Sequence, residues 1–258
     1  MRPIWLIAKS VLLEGLRRRE LYAMACIACL LIALVMTVDF FNVEGLNKFY
    51  RETALKIMSL TSALTVIFLS CRQLPREFEM GTIQILLSKP ISRSVFLLGK
   101  WGGVLLTAAF CLFLFMSVYV VGATYLGGEI PWALFAQHCI LQMTLFFMLS
   151  SLCFLLSLVL NLDAAVVVAC LLYLLASVFM NATSFIYFES GALGKALALV
   201  GTYVMPQLSL FNLSGKVTHA DIWPPIGLET MIGLVLYGSL HAGLYFGVAL
   251  KIFSRRRV

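Results

Sequence analysis

Residues 76–100 read Arg-Glu-Phe-Glu-Met-Gly-Thr-Ile-Gln-Ile-Leu-Leu-Ser-Lys-Pro-Ile-Ser-Arg-Ser-Val-Phe-Leu-Leu-Gly-Lys. They form the one long, charged, helix-capable segment in an otherwise apolar chain. The pattern predicts a helix over 76–88, a break at Lys89-Pro90 and a second helix from Ser92. Pro90 lacks a backbone donor and biases Lys89 away from helical geometry. The Ser92 hydroxyl can take an orphan N–H of the following first turn. Arg76, Glu77, Glu79, Lys89 and Arg93 give the segment a mixed-sign surface suited to a protein partner. Gly81 permits close backbone approach. The plainer alternative is a loop lying among lipid headgroups.

Composition explains why this segment stands out. Of 258 residues, 62% are hydrophobic and 12% charged, with a mean hydropathy of +0.99. Soluble domains carry roughly 25% charged residues. The chain therefore reads as an all-α polytopic membrane protein, one domain over 1–258, with no signal peptide expected. The net charge of +7 reports orientation in such a protein rather than nucleic-acid binding. The seven cysteines lie mostly within apolar runs and form no disulfide framework.

Outward from the segment, six spans are expected, each near the ~20 residues a bilayer core demands. They cover 21–41, 53–69, 101–126, 132–160, 164–188 and 226–253. Residues 1–20 read as an amphipathic helix on the membrane surface, with Ile4, Ala8, Val11, Leu12 and Gly15 on one side. Residues 189–225 hold an apolar stretch too short to span, which fits a re-entrant or surface-lying piece. With six spans both termini share a side with 76–100. That side collects 14 of the 19 Lys and Arg residues, including Arg17 to Arg19, Arg72, Arg76, Arg93, Lys100 and Arg255 to Arg257, so it is expected to be cytoplasmic.

Catalytic machinery is missing from the pattern. Gly194-Lys195 and Leu213-Ser214-Gly215-Lys216 lack a phosphate loop and fall on the outer side. His138, His219 and His241 are scattered, and no Gly-x-Ser-x-Gly elbow occurs. Asp39, Glu129, Asp163, Glu189 and Glu229 stand at span ends. Polar residues inside spans, chiefly Gln142, Asn181 and His241, are candidates to line a pathway; interhelical hydrogen bonding is the competing role.

The order Glu77, Glu79, Gly81, Thr82, Leu86, Leu87, Ser88, Pro90, Ser92, Arg93, then Gly99 and Lys100, resembles the cytoplasmic segment of ATP-binding-cassette permeases of the type-2 exporter class. In that class a glutamate-glycine-threonine helix precedes Leu-Ser-x-Pro-x-Ser-Arg and a Gly-Lys pair. Residues 205–212 are similar to its outer proline-phenylalanine-asparagine stretch. Within the class the chain is most similar to single-domain permeases related to the one that serves nitrous-oxide-reductase maturation. The resemblance implies a surface elbow helix at the N-terminus and a coupling helix over 77–87 that sits in a groove of a separate ATPase. It names Glu77, Glu79, Gly81, Thr82, Leu86, Pro90, Ser92, Arg93 and Lys100 as coupling residues. It also implies a second permease copy, identical or a close paralogue, and two ATPase copies that bind ATP and magnesium. The chain itself would hold no cofactor and catalyse nothing, and would sit in the inner membrane among lipids. A membrane anchor that recruits an ATPase or assembly factor, and an ATP-independent channel or carrier, are the rival functions.

Overall fold

A computed structural model describes residues 2–17, 43–79, 92–204 and 206–255, with isolated positions 22, 26, 29, 30 and 33. Eight α-helices follow in order: α1 (Arg2–Leu16), α2 (Val43–Glu79), α3 (Arg93–Tyr125), α4 (Trp132–Val159), α5 (Leu162–Glu189), α6 (Ala192–Val204), α7 (Ser214–Thr218) and α8 (Leu228–Arg255). A 3-10 turn, Leu208–Phe211, precedes α7. No strand occurs among the described residues, so the all-helical reading holds. Among the described residues, five helices are long and apolar enough to cross a membrane: Lys48–Glu79, Arg93–Tyr125, Trp132–Val159, Leu162–Glu189 and Leu228–Arg255. The expected first span, 21–41, falls almost wholly outside the described residues. At 1.5 Å per residue the shortest of the five, 28 residues, reaches ~42 Å, more than the ~30 Å hydrocarbon core.

The sequence reading is shorter than the helix at two places. The span expected over 53–69 belongs to a continuous helix, Val43–Glu79, that runs through Pro75. Residues 76–79 are its last turn rather than the start of a new helix. The span expected from Trp101 begins at Arg93, with Ser92 as its N-cap: the Ser92 hydroxyl accepts from the Val95 N–H at 3.4 Å.

Polarity is arranged inside out. α2 and α4 form the centre of the bundle, while α5 and α8 turn most of their surface outward. The outward face of α8 carries Leu228, Ile232, Leu236, Leu240, Leu244 and Val248, one residue per turn. Ser59, Ser62, Ser70, Gln73, His138, Gln142, Ser150 and Ser151 are buried. Water would reverse this partition; a hydrocarbon surround produces it, because apolar side chains outside cost nothing there while polar ones seek partners within. α3 returns to α4 through a tight loop. Gly127 adopts φ 69°, and the N–H groups of Gly127 and Gly128 close onto the carbonyls of Thr124 and Ala123, a left-handed helix stop that favours glycine. Between α5 and α8, the 13 residues of α6 span only ~20 Å, too short to cross.

α1 lies along the first turns of α3. A Cβ added to Gly99 would stand 2.8 Å from Ile7 Cβ, and one on Gly103 would stand 2.5 Å from Val11 Cβ and 2.8 Å from the Ala8 carbonyl oxygen. Gly15 is closed in the same way by Thr107. Positions 7, 11 and 15 advance in step with 99, 103 and 107, so the two helices run in the same direction, backbone against backbone. Small residues at four-residue spacing permit this approach. Ala8, Val11 and Gly15 are buried by it.

Replacing Gly103 by Val forces α1 off α3, at an overpacking cost of about 1–3 kcal/mol. Hydrogen–deuterium exchange of the purified protein is expected to rise over α1 while α4 keeps its protection. Unchanged exchange over α1 would show that the glycine contact does not hold the helix.

Candidate functional site

Four helix ends meet at the base of the bundle: α1, the last turn of α2, the first turns of α3 and the last turn of α8. Glu77 and Lys100 join α2 to α3 there as a hydrogen-bonded ion pair. Their side chains are only 18% and 7% exposed. The Lys100 ammonium also stands 5.8 Å from the centre of the Phe96 ring. A pair this enclosed has lost most of its hydration, so its members depend on each other.

Arg93 ties the base to the end of the chain. Its Nη1 donates to the carbonyl oxygens of Ser254 at 3.0 Å and Phe253 at 3.4 Å. These belong to the final turn of α8, whose carbonyls have no intrahelical partner and whose dipole favours a cation. Phe253 sits between Phe78 and Phe96, with ring centres 6.3 and 6.1 Å away. Arg76 pairs with Glu14 of α1. That pair is half-exposed, so it orients more than it stabilises, at roughly 0–1 kcal/mol.

The sequence-derived coupling residues therefore divide. Glu77, Arg93 and Lys100 face other helices of the same chain, whereas Ser92 is exposed and caps its own helix, α3. Glu79 is exposed beside them. Gly81, Thr82, Leu86 and Pro90 lie outside the described residues. The predicted pathway residues do not converge. Gln142 is fully buried on α4, with its Nε2 donating to the Ser59 carbonyl at 3.5 Å. Asn181 is exposed on α5. His241 is half-buried on α8, between the rings of Tyr237 at 4.3 Å and Tyr245 at 6.0 Å.

At the opposite end, polar side chains of α2 and α4 fasten residues 206–227. Gln137 makes two bonds to Ile226, donating to its carbonyl at 2.8 Å and accepting from its N–H at 2.9 Å. His138 Nδ1 accepts from the Leu213 N–H at 3.3 Å, which leaves the ring proton on Nε2 to face the Ser59 hydroxyl at 3.4 Å. Arg51, buried, donates to the Val217 carbonyl at 2.7 Å in the last turn of α7. Sequence reasoning missed Gln137 and Arg51 and set His138 aside. A usable signal was present on α2, where Ser59, Ser62, Ser70, Gln73 and Glu77 recur at helical spacing. The Ser62 and Ser70 hydroxyls and Gln73 Nε2 are buried without a hydrogen-bond partner among the described residues. No group of three or more His, Cys, Asp or Glu is placed to hold a metal ion among the described residues.

Removing one member of the base pair strands a buried charge. Lys100→Met is expected to destabilise the protein by about 3–5 kcal/mol, and the double variant Glu77→Gln/Lys100→Met to recover most of that loss. Unfolding midpoints of the two single variants and the double variant measure the coupling. Additive losses would show that the two side chains do not act as a pair.

The apolar helices and the buried polar centre among the described residues are those of a membrane component. None of the curated proteins compared matches the chain. A family model, the ABC-2 family transporter protein, matches residues 30–257. That match includes all five candidate spans and leaves out α1, and it makes the chain a multi-pass membrane permease subunit that works with an ATP-binding-cassette ATPase. The chain belongs to the ABC-2 family of transporter proteins.

Proposed function

We propose that this permease couples ATP hydrolysis by a separate ATPase to export across the inner membrane, and that residues 76–100 receive the mechanical input. Two ATPase copies, with their ATP and magnesium, dock on two permease copies from the cytoplasmic side, where both chain ends lie. The outward apolar face of α5 suits contact with the second copy. The likeness of 76–100 to single-domain permeases of the nitrous-oxide-reductase maturation type supports the same reading without naming a cargo.

One observation carries the proposal. The two limbs of the docking segment are fastened to each other by Glu77–Lys100, to α8 by Arg93 and to α1 by Arg76–Glu14. A push on residues 80–91 therefore reaches α1, α2, α3 and α8 together. Glu79 is the charged group at the end of α2 that is free to face a partner's surface, since it is exposed. Glu77 positions the segment from within.

The two roles separate in a reconstituted complex. Glu79→Arg reverses a contact charge and is expected to weaken ATPase binding about tenfold, or about 1.4 kcal/mol. Arg93→Gln should leave that binding near its original strength and lower transport per ATP hydrolysed. Affinity measured in nanodiscs, alongside cargo flux and phosphate release, reads both. Full coupled ATPase activity and transport in both variants would refute the coupling assignment. Normal ATPase recruitment with no flux of any cargo would favour a non-transporting anchor.

A further inference from the structure

α3 and α4 are neighbours through a short loop, yet they do not pack along their length. Two aromatic pillars hold them apart. Tyr119 and Phe135 stack at the loop end with ring centres 5.4 Å apart, and Trp101 meets Phe147 edge-on at 4.5 Å toward the base. The Trp101 indole N–H also donates to the Ser150 hydroxyl at 3.0 Å, fixing the lower pillar. Beside and between the pillars runs an apolar furrow. It is made of three adjoining cavities of about 470, 410 and 580 Å³. They adjoin because Ala109, Leu112, Cys139 and Met143 each line at least two of them.

The furrow runs from one membrane interface to the other, so the acyl chains of a lipid of one leaflet fill about half of it. It starts at Trp5 and Gly102 and finishes at Val121 and Trp132. From Gly102 to Val121 along α3 is ~28 Å, the thickness of the hydrocarbon core. Each end carries a half- to two-thirds-exposed indole, Trp5 at 60% and Trp132 at 63%, the side chain that favours the membrane interface. Lys9, exposed, follows Trp5 by one helical turn on the same face of α1. In the α1–α3 register it stands level with Trp101, where the apolar run of α3 begins. The basal mouth thus pairs an indole with an ammonium, the combination that attracts an anionic headgroup. The furrow is walled by α1, α3 and α4, with Ser239 of α8 at its middle, whereas α5, the helix offered to a second copy, packs on α2, α4 and α6.

We propose that this furrow is a binding site for an anionic phospholipid of the basal leaflet, whose acyl chains lie between α3 and α4 and whose phosphate meets Lys9. The lipid fills the basal half of the wall that the two pillars leave open. It is distinct from the lipid that merely coats the outward stripe of α8.

The test uses the full-length permease with its ATPase in liposomes containing diazirine-acyl phosphatidylglycerol or diazirine-acyl phosphatidylcholine. Adducts are mapped by peptide mass spectrometry, with the outward stripe of α8 away from Ser239 (Leu228, Ile232, Val248) as internal reference. Labelling of the α3 and α4 furrow peptides should saturate with phosphatidylglycerol and exceed that with phosphatidylcholine about fivefold, the preference one interfacial lysine supplies. Lys9→Gln should erase the preference. Ala109→Phe should remove furrow labelling and leave α8 labelling unchanged. Should Ala109→Phe not fold, Gly102→Leu serves, because a Cβ at Gly102 meets nothing within 4 Å. Unsaturable labelling shared evenly between furrow and α8 would overturn the proposal, as would equal labelling by the two lipids. Cross-linking of furrow peptides to a second copy of the chain would overturn it as well.

Discussion

The buried ion pair between Glu77 and Lys100 sets the geometry of the base. It brings together two residues 23 positions apart and so fixes how the last turn of α2 meets the first turns of α3. Everything the base does depends on that phase. It turns Glu79 outward, brings Phe78 and Phe96 to opposite sides of Phe253, and leaves Arg93 beside the end of α8. A pair with so little solvent contact adds less net stability than geometry, because the desolvation of both ions offsets most of their attraction. Its value is that few arrangements of α2 and α3 satisfy both charges.

The bundle above the base answers a different constraint. Without water in the hydrocarbon layer, polar groups that cannot face outward must find partners inside. Here the partners join elements rather than decorate them. Gln137 and His138 fasten residues 206–227 to α4, and Arg51 caps α7. The piece between α5 and α8 is therefore held at one end of the bundle by side chains from the two most central helices. The same helices reach the charged base at their other ends, so the two extremities share a rigid axis.

Helix type and the later helix boundaries were legible in the sequence, because long apolar runs bounded by Gly, Pro and Asn leave few alternatives. The expected spans over 132–160, 164–188 and 226–253 lie close to α4, α5 and α8. The start of α2 was not legible. Lys48, Arg51, Glu52 and Lys56 look like the end of a span, yet Lys48 pairs with Asp221, Glu52 with Lys56, and Arg51 with a backbone carbonyl. Glu52–Lys56 is a local pair, but the partners of Lys48 and Arg51 lie 173 and 166 positions away, and no local pattern announces them. The division of the coupling residues was hidden for a related reason. Glu77 and Glu79 differ by two positions, about 200° around a helix, so one faces inward and the other outward. Which is which depends on the neighbour. Asn181 and His241 stand out because they interrupt apolar runs, but a sequence does not say which face of a lipid-bathed helix is the inner one.

The unbonded polar atoms of α2 carry a consequence for its energy landscape. Each buried, unpaired donor or acceptor costs about 1–3 kcal/mol, against a total stability of order 5–15 kcal/mol for a folded domain. Ser62, Ser70 and Gln73 hold such atoms on one helix, so the packing of α2 is locally frustrated, and arrangements that bond those groups lie close in free energy. The contact of α1 with α3 is the opposite case, since its glycine positions admit a single register. The energy gap is narrow along the helix that ends at Glu79 and wide along the pair that braces the base. A load on the base finds one compliant member and one stiff one.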